Sequence, residues 1–320
     1  MRGTEDRTRI RRGGRLMIPI TSTITAMMQF GQRLTEAVRI KGNPVCVGLD
    51  PRADQLPFEP ADGGAESIAD AYECFCRSII DVVADLVPVV KPQSAFFEAL
   101  GAAGCAALAR VNRHARQSGL LVIHDAKRGD IGSTALAYAE AYLSGSASPW
   151  HCDALTVNPY LGDDTLEPFV DACRANGTGI FVLARTSNPG SSFIQQADSG
   201  GSVSLKVARW IEEANRRWSA DPQPESFFRG PIGGVVGATY PDELRVLREA
   251  MPSAWLLIPG YGAQGGKAAD LAVARQSDGG GMIVNSSRGI IFAYRDRPTP
   301  GPWTAAVRDA TLRMIDDLGQ

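Results

Sequence analysis

The chain has 320 residues and a mass of 34.1 kDa, long enough to bury a large core. Its 44% hydrophobic and 21% charged residues are those of an ordinary globular protein. With 33 basic against 35 acidic residues the net charge is −2, which excludes a broadly basic nucleic-acid binder and a long acidic tail.

The N-terminus, MRGTEDRTRIRRGGRLM, has the arginines of a signal peptide but lacks its apolar stretch, and Glu5 and Asp6 argue against a transit peptide. Residues 1–25 are expected to be a disordered extension or an over-long start, with Met27 or Met28 as alternative starts and a catalytic domain over 26–320. No apolar run reaches the roughly 18 residues of a transmembrane helix, so no membrane is expected. Cys46, Cys74, Cys76, Cys105, Cys152 and Cys173 show no CxxC spacing and no histidine-rich partner stretch. They read as reduced thiols of a cytoplasmic protein, most of them buried, rather than as a zinc site.

Along the chain, short apolar runs alternate with longer amphipathic segments. PVCVGL runs into Asp50, LVPVV into Lys91 and LLVIH into Asp125. DALTV, GIFVLA, PIGGVV, AWLLI and GMIV then end at Asn158, Arg185, Gly237, Pro259 and Asn285. Apolar residues on both faces mark parallel strands covered on both sides. Between the strands, helical patterns are predicted over 67–86, 95–117, 133–143, 165–175, 203–218, 242–250, 266–275 and 304–318. Repeated β-then-α units of this number predict an α/β fold, a single closed (β/α)₈ TIM barrel. A doubly wound open sheet is the alternative, weakened because no GxGxxG follows the first strand. The stretches 52–66, 187–202 and 219–230 are too long for plain connections, and long loops at strand C-termini commonly lie over an active site.

Barrel chemistry sits at the C-terminal ends of strands, where Asp50, Lys91 and Asp125 each close an apolar run. In VIHDAKRGDIGST the period of two aims Asp125 and Lys127 the same way, roughly 6–7 Å apart by Cα. Asp130 follows on the loop, and Lys91 can reach the same space. His124 should face the helices as a core histidine, and no histidine has a triad partner at a readable spacing. The last two strands end in IPGYGAQGG and NSSRGI, turns suited to phosphate, with Gln264 and Arg288 as added donors.

Together these residues resemble the orotidine 5'-phosphate decarboxylase family, in its longer branch. The matching blocks are VGLDP, KPQSAFFE, HDAKRGDIGST with its DxKxxD element, TVNPYLGDD, ARTSNPGS, GVVGAT, PGYGAQGG and NSSRGI. They lie in family order across about residues 28–318. The resemblance implies a cytoplasmic carboxy-lyase of pyrimidine biosynthesis that converts orotidine 5'-phosphate to UMP without metal or cofactor. It implies a catalytic network of Lys91, Asp125, Lys127 and Asp130, with Lys127 giving the proton to C6. Asp130 and Thr134 would serve the partner's active site in a homodimer. Asp50 and Lys91 would contact the ribose, Ser187 the pyrimidine edge, and Gln264 and Arg288 the phosphate, under a loop from Pro259 to residue 264. The rival within the same barrel group is a magnesium-dependent sugar-phosphate lyase or synthase. Such relatives carry a carboxylate at the end of strand two. Here Lys91 stands there, and an ammonium would repel Mg²⁺. A binding protein without activity would not need the full charged set. A fused phosphoribosyltransferase is not expected in this length of chain.

Overall fold

The computed structural model describes residues 28–197, 201–218, 229–262, 268–296 and 301–319. Within them eight parallel strands close into a barrel in chain order: β1 (Val45–Leu49), β2 (Val89–Pro92), β3 (Leu121–Arg128), β4 (Ala154–Val157), β5 (Gly179–Arg185), β6 (Ile232–Val236), β7 (Leu256–Ile258) and β8 (Met282–Ser286). β8 pairs back onto β1, with Val45 opposite Val284. This is the expected (β/α)₈ barrel. No helix among the described residues is long and apolar enough to cross a membrane.

The helices are α1 (Phe30–Lys41), α2 (Ala65–Val83), α3 (Ser94–Glu98), α4 (Gly101–Gln117), α5 (Gly132–Leu143), α6 (Glu167–Asn176), α7 (Ser192–Gln195), α8 (Val203–Trp218), α9 (Pro241–Ala250), α10 (Ala268–Leu271), α11 (Arg288–Ile291), α12 (Ala293–Asp296) and α13 (Trp303–Gly319). Two expectations for the helices are corrected. The helix predicted over 95–117 is two helices, because Gly101 takes φ +63 and breaks the first from the second. The helix predicted over 266–275 is reduced to α10 and a 3₁₀ turn at Ala272–Ala274, with 263–267 outside the described residues. The proposed extension 1–25 also lies outside them.

α1 was not foreseen, and it closes the end of the barrel opposite the site. Its Phe30, Leu34 and Val38 pack on the inward side chains Cys46, Val89, Ile123, Ala154, Phe181, Trp255 and Ile283. Trp255 donates its indole N–H to the Gly31 carbonyl at 3.1 Å. A Cβ on Gly31 would lie 2.2 Å from the Arg229 carbonyl oxygen, so only glycine lets the two chain segments meet. Arg229 and Gly230 thus lie under the barrel. The described end of the 219–230 stretch therefore lies away from the mouth.

The inward positions set the chemistry by simple alternation. A lower layer is apolar, and two residues further along each strand an upper layer begins. Val89 is followed by Lys91, Ile123 by Asp125, Ala154 by Thr156 and Ile283 by Asn285. Outward residues such as Val47, Val90, Val122, Val182 and Val284 pack under the helices in the larger core. Cys46, Cys76, Cys152 and Cys173 are buried, as expected for most of the thiols, whereas Cys74 is exposed. Burial pushes the Cys46 thiol up to about 12.

His124 faces the helices, as expected. Asn112 donates from Nδ2 to the Trp150 carbonyl and to Nδ1 of His124 at 3.0 Å, which leaves Nε2 to donate to Ser94 Oγ at 2.6 Å. Burial, with the nearby Arg128 guanidinium, lowers its pKa from 6.5 to about 3. A depressed histidine pKa contributes stability that is full above the unfolded value and declines as pH falls toward the folded one. The urea midpoint should therefore fall between pH 7.5 and 5, and His124→Gln should show a smaller fall over that range. Equal pH slopes for the two proteins would refute the assignment.

Candidate active site

The upper layer forms the floor of a cavity of about 300 Å³ at the C-terminal mouth. Seven of the residues singled out from sequence line it together: Asp50, Lys91, Asp125, Lys127, Ser187, Pro259 and Arg288. Asp130 and Thr134 do not line the cavity of their own chain. Gln264 lies outside the described residues.

Asp125 is the centre of the floor and only 5% exposed. Lys91 Nζ donates to its Oδ2 at 2.6 Å, and Lys127 Nζ to its Oδ1 at 2.6 Å. Gln93 Nε2 adds a bond to Oδ2 at 3.1 Å, and Thr156 Oγ1 one to Oδ1 at 2.9 Å. Burial by itself would raise the pKa of this carboxyl, but Lys91 and Lys127 outweigh it and hold it below the usual carboxylate range. Burial would likewise lower the Lys91 pKa. Asp125 and Asp50 offset this and hold the ammonium above the ordinary lysine range. The floor is thus a fixed carboxylate carrying two amino groups, with Lys91 buried and Lys127 reaching into the open cavity.

Asp125 and Lys127 do share a side, but not by regular alternation. The pairing of β3 with β4 runs Ile123 to Ala154, His124 to Leu155 and then Arg128 to Val157. Three residues of β3 face the single Thr156, so the strand bulges. Lys127 takes φ +51, a left-handed conformation that costs a side-chain-bearing residue about 1–2 kcal/mol. Its stem turns back, and the ammonium meets Asp125 on the cavity side.

Asp50 Oδ1 is buried and has no hydrogen-bond partner among the described residues. A buried carboxylate oxygen left without a donor is costly, so its position in the cavity wall suits a ligand hydroxyl. Beside it, on the neighbouring strand, Ser286, Ser287 and Arg288 leave β8, and Arg288 opens the short α11 with its side chain exposed. Backbone N–H groups there, together with a guanidinium, suit an anion. No group of three or more His, Cys, Asp or Glu among the described residues is placed to hold a metal ion.

Sequence reasoning passed over Gln93, Thr156 and Arg185. The first two were legible as positions two residues beyond Lys91 and Ala154 on the inward face. Arg185 ends β5 and is 1% exposed. Its guanidinium holds Glu243 on α9 and Ser191, and stacks 4.3 Å from the Tyr240 ring centre. Gln195 Oε1 accepts from the Thr186 backbone N–H at 2.9 Å, tying α7 to the same corner. This cluster fixes the loop carrying Thr186, Ser187 and Asn188 over the cavity. Arg185→Leu should cost about 2 kcal/mol, the scale of lost charge-assisted bonds, seen as a lower unfolding temperature. An unchanged melting temperature would show that the cluster does not anchor this loop.

The comparisons agree with the geometry. Residues 43–299 match the family model described as "Orotidine 5'-phosphate decarboxylase / HUMPS family". A protein named orotidine 5'-phosphate decarboxylase from Rhodopirellula baltica is 50% identical, covering 91% of this chain and 99% of its own. One of the same name from Deinococcus radiodurans is 40% identical over 90% of this chain and 96% of its own. Among solved structures, a putative orotidine 5'-phosphate decarboxylase from Streptomyces avermitilis superposes with a TM-score of 0.75 at 37% identity, covering 92% of this chain and 95% of that one. An OMP decarboxylase from Leishmania donovani gives 0.71 at 32% identity, over 91% and 97%.

Proposed function

This chain belongs to the orotidine 5'-phosphate decarboxylase family and converts orotidine 5'-phosphate to UMP, and we propose the following roles for its residues in that reaction. The observation that carries the reading is the Lys91–Asp125–Lys127 set on the cavity floor, its carboxylate buried between the two ammonium groups. Breaking the C6–carboxylate bond releases CO₂ and leaves the electron pair on C6, with no adjacent group to delocalise it. A cation must already stand there. An ammonium about 4 Å from the developing charge is worth roughly 4 kcal/mol at an effective dielectric of 20. The attraction grows as the bond breaks, so it lowers the barrier. Lys127 then gives its proton to C6, forming UMP, and recovers one from water.

Asp125 holds the Lys127 ammonium in place, while Lys91 neutralises the carboxylate from behind. Asp50 and Lys91 take the ribose hydroxyls, Ser187 the pyrimidine edge, and Arg288 with Gln264 the phosphate. Gripping the phosphate, far from C6, supplies binding energy that can drive closure of the site. No metal or cofactor enters the reaction. Turnover in excess EDTA should match turnover in buffer, and Lys127→Ala should lose about a thousandfold or more in kcat. A sugar-phosphate substrate turned over only after Mg²⁺ is added would instead support the lyase reading.

The active form is a homodimer with shared sites. Asp130 and Thr134 lie outside their own cavity, beside Ile131, Leu136, Tyr160 and Leu161, which are large apolar side chains left exposed in the single chain. Such a patch around polar residues is what a covered face requires. Asp130 then joins the partner's Lys127. Equal mixing of inactive Lys127→Ala and Asp130→Ala chains should restore about a quarter of the native sites, because half the dimers are mixed and each carries one intact site. Mixtures that stay inactive would refute sharing. The reading places the barrel over 26–320 and the enzyme in the cytoplasm, supported by six free cysteines.

A further inference from the structure

We infer that Thr156 is a positioning residue for decarboxylation, its one hydroxyl setting both the backbone turn at Lys127 and the charge pair that Lys127 makes. The inference rests on the role given above to Lys127.

The argument starts from the bulge. Where three residues of β3 face one of β4, the backbone N–H groups of Ala126 and Lys127 lose their ladder partners. Thr156 Oγ1 accepts both, at 3.0 and 2.9 Å. The same oxygen donates its proton to Asp125 Oδ1 at 2.9 Å, the carboxylate oxygen that Lys127 Nζ meets at 2.6 Å. Thr156 is 1% exposed, so these bonds are made away from bulk water. One hydroxyl therefore satisfies two backbone donors and one carboxylate, with its donor and acceptor capacities both in use.

The consequence is specific to Lys127. Its φ of +51 is unfavourable for a residue with a side chain and persists only where surrounding bonds over-determine it. Those bonds converge on Thr156. Without the hydroxyl, the two N–H groups seek other partners and the turn relaxes toward ordinary strand geometry. The ammonium then leaves the point where charge develops on C6. Substrate binding is less affected, because Asp50, Ser187 and Arg288 sit on other strands and loops.

The test is Thr156→Val, which keeps the shape and removes the hydroxyl, beside Thr156→Ser, which keeps the hydroxyl. Thr156→Val should lose about a hundredfold in kcat, the scale of an ångström-level misplacement, with KM nearly unchanged. Affinity for a UMP analogue bearing an ionised oxygen at C6 should fall in parallel, while affinity for UMP stays. Thr156→Ser should recover most of both losses. Wild-type kcat in Thr156→Val overturns the inference, as does equal weakening of UMP and the analogue, or a serine variant no better than valine. If the valine variant does not fold by its thermal melt, Thr156→Ala carries the same comparison. Lys127→Ala is measured alongside. If it retains turnover, the role of Lys127 falls and the inference with it. If it is inactive while Thr156→Val turns over normally, the inference alone falls.

Discussion

A carboxylate buried between two ammonium groups is the constraint on which the site depends. Removing a charge from water costs several kcal/mol, and the cost is met only when partners of opposite sign and further donors surround it. Asp125 has four such partners, Lys91, Lys127, Gln93 and Thr156, supplied by β2, the turn after it, β3 and β4. Three adjacent strands must therefore stay in register for the charge to be tolerated. The same requirement makes the site rigid. A reaction that gains from a cation already in place gains most when that cation needs no reorganisation as charge develops.

The barrel meets the requirement by layering. The lower half of the interior is apolar and capped by α1, with Phe30 set edge-on to Phe181 at 5.9 Å. The upper half switches to polar groups within two residues on several strands. The apolar lower layer keeps water from the underside of Lys91, and the helices keep it from the far face of β3, where His124 is held neutral between Ser94 and Asn112. Water exclusion from below strengthens each contact above it.

Much of this was legible in the sequence, and the reasons differ from element to element. The strands showed because each is apolar on both faces, and the charges at Asp50, Lys91 and Asp125 showed because each interrupts such a run. His124 was assigned to the correct face by parity alone. Parity also paired Asp125 with Lys127, although the strand there is bulged and Lys127 left-handed. A bulge depends on the register against β4, which no local pattern in β3 encodes. α1 was passed over for a similar reason: its apolar residues are few, and their partners are spread along the chain from Cys46 to Ile283. Thr156 and Gln93 were passed over because a neutral hydroxyl or amide in an apolar run draws no attention until the charge it holds is seen.

The site is also divided by its source of rigidity. The charged floor rests on strands, where hydrogen-bonded neighbours fix each side chain. The proposed anion end rests on the turns after β7 and β8, and in the first of these Gly260 takes φ +93 and Gly262 φ +70. Glycines at such angles let backbone N–H groups approach a ligand closely, at the cost of conformational freedom that must be lost on binding. That loss is acceptable at the phosphate, since binding energy gained far from C6 can fund ordering. It would not be acceptable at Lys127, where the same left-handed angle is carried by a lysine and locked by Thr156. Two left-handed turns thus serve opposite ends: one yields to the ligand, and the other holds still against it.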